Sequence, residues 1–113
     1  MSNTIILGWN RAVSGREKQS VELFTEFVGY VTSLQTEGKI TGFEPVFLDP
    51  HGGDMNGFFL IKGEPAKLDA IVGSDAWVEF ATRGAIIMQG FGVIRGAAGE
   101  EIATRMGLFQ KHI

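Results

Sequence analysis

The sequence predicts an α+β domain in which two helices cover one face of a four-stranded antiparallel sheet. Short apolar runs of strand length alternate with longer stripes of helical spacing, in the order βαββαβ. Helix-start and helix-stop residues separate these runs, and turn residues fill the remaining joints. At 113 residues the chain has the size of one domain, residues 1–113, able to bury about two thirds of the surface its unfolded form exposes.

Thr4 to Asn10 (TIILGWN) is β-branched and apolar, long enough for a strand and too short for a helix. Ser14-Gly15-Arg16-Glu17 fits the S-x-x-E capping box, in which the serine oxygen accepts a free N–H and the glutamate reaches back. A helix is therefore expected over residues 14–37. Val21, Phe24, Phe27, Val28, Val31 and Leu34 form its apolar stripe, and Gly38 is its stop. Ile40 to Asp49 and Met55 to Gly63 read as a hairpin, and Pro45, which has no N–H to donate, places the first of these strands at a sheet edge or a bulge. Glu64-Pro65 opens a second helix. Gly73-Ser74-Asp75 breaks and recaps it, and Trp77, Val78, Phe80 and Ala81 continue to an expected end at Gly84. Ala85 to Arg95 reads as the last strand. A tail helix is expected over about residues 98–110, with Glu100 and Glu101 at its start and Arg105 and Lys111 towards its end, matching the helix dipole.

This order is the split βαβ arrangement of ferredoxin-like domains, and right-handed crossovers put both main helices on the same face of the sheet. The strands are nevertheless apolar at both parities. Ile5 and Leu7 oppose Ile6, Phe58 and Leu60 oppose Phe59 and Ile61, and Ile87 and Phe91 oppose Ile86 and Met88. A half-solvated sheet alternates apolar with polar residues instead. The second face thus calls for a cover. A second copy of the chain, giving a dimeric α/β barrel, is the favoured cover, and the tail helix folded over its own sheet is the competing one.

With Leu34 to Phe47 (LQTEGKITGFEPVF) and Ser74-Asp75-Ala76-Trp77 leading into Phe80, the chain resembles the dimeric α/β-barrel superfamily over about residues 4–96. It is similar in element order to YciI-like proteins and to the antibiotic-biosynthesis-monooxygenase type. The resemblance implies the fold and a homodimer paired through the sheet face. The histidine–aspartate pair associated with the YciI-like first helix has no counterpart, since residues 14–37 contain no histidine. The iron-holding histidine of haem-degrading members is likewise missing from residues 65–84.

Composition narrows the function classes. The chain contains no cysteine, which excludes disulfides and thiolate nucleophiles. Its net charge of −3, with no lysine or arginine cluster, offers no footprint for nucleic acid. No apolar run approaches the roughly 20 residues of a membrane span, and the start, MSNTIILGWNRAV, lacks a basic segment followed by a secretory apolar core. A cytoplasmic protein with no nucleic-acid or membrane partner is expected.

The chemistry-bearing stretch is Asp49-Pro50-His51-Gly52-Gly53-Asp54 (DPHGGD). Asp49, His51 and Asp54 carry the group types of a metal or acid–base cluster, but Asp-Pro and Gly-Gly also spell a tight turn. The turn is favoured and no metal is expected, because the remaining histidine, His112, lies in the tail. Gly90-Phe91-Gly92-Val93-Ile94-Arg95-Gly96 has glycine spacing that invites a dinucleotide site, yet too few residues follow it for the helix, strand and acidic partner such a site requires. Gly90 and Gly92 are instead expected on one face of a strand, allowing close approach.

Trp9, Asn10, Asn56, Gln89 and Arg95 are the candidate ligand-binding residues, with His51 and Arg95 the catalytic candidates. Trp9, Gln89 and Arg95 share a parity suited to a barrel interior, Asn10 and Asn56 are polar strand-end residues, and Arg95 suits a carboxylate or an enolate. Two functions remain open: a homodimer that binds a small metabolite or acts as a cofactor-independent enzyme of proton transfer or oxygenation, and a non-catalytic oligomerisation or interaction module.

Overall fold

The computed structural model describes residues 1–113. Its elements are β1 (Thr4–Trp9), β2 (Arg11–Ala12), α1 (Glu17–Thr36), β3 (Gly42–Phe47), β4 (Gly57–Lys62), α2 (Pro65–Val72), α3 (Asp75–Ile87), β5 (Met88–Gln89), β6 (Gly92–Gly96) and α4 (Glu100–Gln110). The fold is α+β. Four strands form an antiparallel sheet in the order β3-β4-β1-β6, with the hairpin neighbour β4 inserted between β3 and β1, as a ferredoxin-like domain requires. Pro45 lies on β3, an edge strand. None of the helices is long and apolar enough to cross a membrane.

Register assigns the two faces. Ile5, Leu7 and Trp9 of β1 share a face with Phe59 and Ile61 of β4, Phe43 and Phe47 of β3, and Val93 and Arg95 of β6. This is the covered face, where Phe27, Val31 and Leu34 of α1, Leu68 and Ile71 of α2, and Trp77 of α3 complete the core. The opposite face presents Ile6, Val46, Phe58 and Leu60, all half-buried, and Ile94, which is 49% exposed. Helix α4 buries none of its residues, and Ile102, Met106 and Phe109 along one side of it are exposed.

Local chemistry explains most boundaries. At the end of α1, Gly38 (φ 73°) donates to the Gln35 carbonyl while Lys39 donates to that of Leu34, the two bonds of a Schellman stop. Pro65 occupies the first turn of α2, and the Ser74 hydroxyl accepts from Trp77 N–H to cap α3.

Five expectations are corrected. Ser14 does not cap α1, because Gly15 (φ 88°) turns the chain between them; Arg16 takes the cap position, and the Glu17 carboxylate accepts from Gly15 N–H. On α1, Val21 is 66% exposed, while Leu23, at 8%, takes the inward place four residues before Phe27. Gly84 does not end α3. It lies buried inside the helix because the Phe91 ring packs onto it, so closely that a Cβ there would stand 2.5 Å from a ring carbon. The expected strand 85–95 accordingly divides: Ala85 to Ile87 complete the helix, so Ile86 and Ile87 do not face opposite sides of a sheet, and Met88–Gln89 pairs with Arg11–Ala12. Gly90 (φ 64°) turns the chain into β6 rather than sharing a strand face with Gly92.

Candidate functional site

The covered face is not filled along its whole length. At the Trp9 end, between the first turns of α1 and the sheet, a cavity of about 340 Å³ opens to solvent. Its floor is Leu7, Trp9 and Phe59 from the sheet centre with Phe47 from the edge; α1 supplies Ser20, Val21, Leu23, Phe24 and Phe27, and Phe80, Met88 and Phe91 close the far side. Phe47 is 70% exposed, and with exposed Val21 it marks the mouth.

The space exists because rigid rings line it. The Trp9 indole meets Phe24 and Phe47 edge-on at centroid separations of 6.4 and 6.3 Å, and Phe24 lies 5.2 Å from Phe59. Such tilted contacts are favourable for aromatic quadrupoles but leave wedges that branched aliphatic side chains would fill. Trp9 itself is laid across β4. Gly57 makes this possible, since a Cβ there would come within 2.5 Å of the indole, and the N–H edge of the ring rests on that glycine.

Eleven of the twelve lining residues are hydrophobic, and none carries a titratable side chain. The exception, Ser20, donates its hydroxyl proton to the Glu17 carbonyl at 2.6 Å, leaving oxygen lone pairs as its free capacity. A charge does stand behind the wall: the Arg83 guanidinium carbon is 5.6 Å from the Phe80 ring centre. It is forked onto Glu26, whose carboxyl is held below its ordinary value of 4.5 chiefly by that hydrogen bond.

Of the candidates named from sequence, Trp9 alone lines this cavity. Asn10 and Asn56 meet just beyond it. Asn56 Nδ2 donates to the Asn10 carbonyl at 2.9 Å and to Asn10 Oδ1 at 2.7 Å, and Asn56 N–H extends the ladder to the Trp9 carbonyl. The pair thereby braces the backbone that carries Trp9. Gln89 lies on the small β2–β5 ribbon with an exposed side chain, and its carbonyl accepts from Asn10 N–H. Arg95 pairs with Ile5 in register, at the other end of the sheet from Trp9. There it donates to Asp69 of α2 at 2.9 Å and to the Ser2 carbonyl at 3.2 Å.

His51 stands in the hairpin connection, where Gly53 N–H donates to Nδ1 at 3.2 Å and Nε2 is 2.7 Å from the Met55 carbonyl. Both ring nitrogens are thus engaged by backbone groups of the turn itself. The two glycines of DPHGGD have separate reasons. Gly52 takes a positive φ of 80°, and at Gly53 a Cβ would stand 2.5 Å from the His51 ring. No group of three or more His, Asp or Glu side chains gathers to hold a metal ion.

The cavity residues that sequence reasoning leaves out are chiefly phenylalanines. The available signal is the parity of Leu7, Trp9, Phe47 and Phe59, which converge at one sheet end, in a chain with nine phenylalanines. No protein-family model matches this chain, and no curated protein matches it either.

Proposed function

We propose that the protein is a homodimeric small-molecule-binding domain, with one ligand held in the aromatic cavity of each subunit and the bare sheet faces paired. The observation that carries the ligand half is the open, charge-free cavity of about 340 Å³, within the range of roughly 300–1,000 Å³ typical of small-molecule sites. A domain needing only stability gains nothing from such a gap, since unfilled core volume forfeits packing energy. Binding is favoured over acid–base chemistry because the lining offers no group that holds or moves a proton near neutral pH.

The pairing half rests on two unpartnered apolar surfaces. The bare face, with Ile6, Phe58, Leu60 and Ile94, spans roughly 350 Å² in plan at ordinary strand spacing. A standard interface buries about 800 Å² per partner, so the Ile102, Met106 and Phe109 side of α4 is the natural extension of the contact. These same surfaces favour the second reading, an assembly module whose sheet exists to pair, if the cavity proves empty of function.

Two measurements test the proposal. N-phenyl-1-naphthylamine, a neutral dye that brightens in apolar sites, is expected to titrate at one equivalent per chain, with the signal lost in Ser20→Phe, where a ring blocks the mouth. Light scattering is expected to give twice the chain mass for the wild type and a monomer for Ile94→Glu. A saturable dye signal unaffected by Ser20→Phe contradicts the cavity reading, and a wild-type monomer contradicts the pairing.

A further inference from the structure

The cavity walls restrict what can occupy them, and this inference rests on the ligand-binding reading above. Desolvating a carboxylate, phosphate or ammonium against this lining would leave the charge unpaired, since no lining side chain is charged and Arg83 behind Phe80 is already forked onto Glu26. The rings of Phe24, Phe59, Phe80 and Trp9 instead offer polarisable aromatic contact. Two of the lining side chains carry a polar atom, Trp9 and Ser20. The Trp9 N–H edge rests on Gly57, whereas Ser20 Oγ has given its proton to Glu17 and can accept one.

We infer that the ligand is an uncharged, flat aromatic molecule of two or three fused rings, carrying a single hydroxyl or N–H that donates to Ser20 Oγ at the mouth. The rings enter first, against Phe59 and Trp9, and the polar edge remains beside α1 where the cavity meets water. The volume, near the lower end of the small-molecule range, sets the ring count. The interior holds no partner for a carboxylate, and Arg95, tied to Asp69 at the far end of the sheet, does not supply one.

Equilibrium dialysis of the full chain against 1-naphthol, naphthalene and 1-naphthoate at pH 7 tests this. The three probes share one ring system and differ only in the polar group. The expected order is naphthol about five-fold tighter than naphthalene, the worth of one added hydrogen bond, and naphthoate about ten-fold weaker than naphthol, the cost of partly desolvating a carboxylate at the mouth. Ser20→Ala, which leaves the hydrophobic lining intact, is expected to bring naphthol to the affinity of naphthalene while leaving naphthalene unchanged. Naphthoate binding as tightly as naphthol overturns the ligand class but leaves the cavity reading in place. A naphthol preference that survives Ser20→Ala overturns the role of Ser20. Failure of all three probes to bind overturns both this inference and the reading on which it rests.

Discussion

The two ends of the covered sheet face are built from the same strands and packed to different ends. At the Arg95 end, Ile5, Ile61 and Leu68 are sealed, each no more than 1% exposed. At the Trp9 end, rings meeting at tilts of 44° to 80° enclose an opening of about 340 Å³. Branched aliphatic side chains interdigitate and rigid rings do not, so the first end is sealed and the second leaves an opening. The polar groups are divided in the same way. Arg95 knits strand to helix at the closed end, while no charged side chain enters the open one.

The sharpest way to break this comparison is to make the same cut at both ends. Leu68→Ala, at a fully buried site, is expected to cost about 3–5 kcal/mol in urea denaturation. Leu23→Ala, also buried but bordering the cavity, is expected to cost about 2 kcal/mol, because one side of that leucine already lacks neighbours to lose. Equal costs would mean that the opening is closed in solution.

Next in size is Gly57→Ala. The new methyl group would displace the Trp9 ring, with an expected cost of about 1–3 kcal/mol. It is also expected to shift tryptophan fluorescence and weaken dye binding, whereas an unchanged spectrum would show that the ring is not seated on Gly57.

Arg95→Met addresses the other end. Loss of the partly exposed pair with Asp69 is expected to lower stability by at most about 1 kcal/mol and to leave dye affinity unchanged. Loss of binding in this variant would return Arg95 to the ligand site.

The smallest expected effect concerns Glu26 and Arg83 behind the cavity wall. Hydrogen bonding to Arg83 lowers the Glu26 carboxyl below its ordinary 4.5. Its stabilisation is therefore complete above that pH and is lost as pH falls through the lowered value. The urea-midpoint difference between wild type and Glu26→Gln is expected to be constant from pH 7 to about pH 5 and to vanish in stronger acid. A difference that grows on acidification would reverse the assigned direction.

What is legible in the sequence follows from how local its cause is. Gly38 and Pro65 mark helix ends through backbone chemistry a few residues long, and the strand parities of Ile5 to Leu7 and Phe58 to Ile61 reveal two apolar faces directly. Gly84 misleads because its cause, the Phe91 ring, is seven residues away and on another segment. The cavity is less legible still, since its walls come from α1, α3, three main-sheet strands, β5 and Phe91, and a phenylalanine that lines a space has the same sequence pattern as one that fills it. His51 and Arg95 draw the eye as reactive groups, but their geometry commits them to a turn and a strut. Asn10 and Asn56, chosen as polar strand ends, do come together, though as a brace.

The most direct test of the central claim is chemical-shift mapping of the uniformly ¹⁵N-labelled full chain on addition of naphthalene. The account predicts saturable shifts at Leu7, Trp9 with its indole N–H, Phe24, Phe80 and Met88, and none at Asp69 or Arg95. Shifts confined to Ile6, Phe58, Leu60 and Ile94 on the bare face, or no saturable shifts at all, would contradict it.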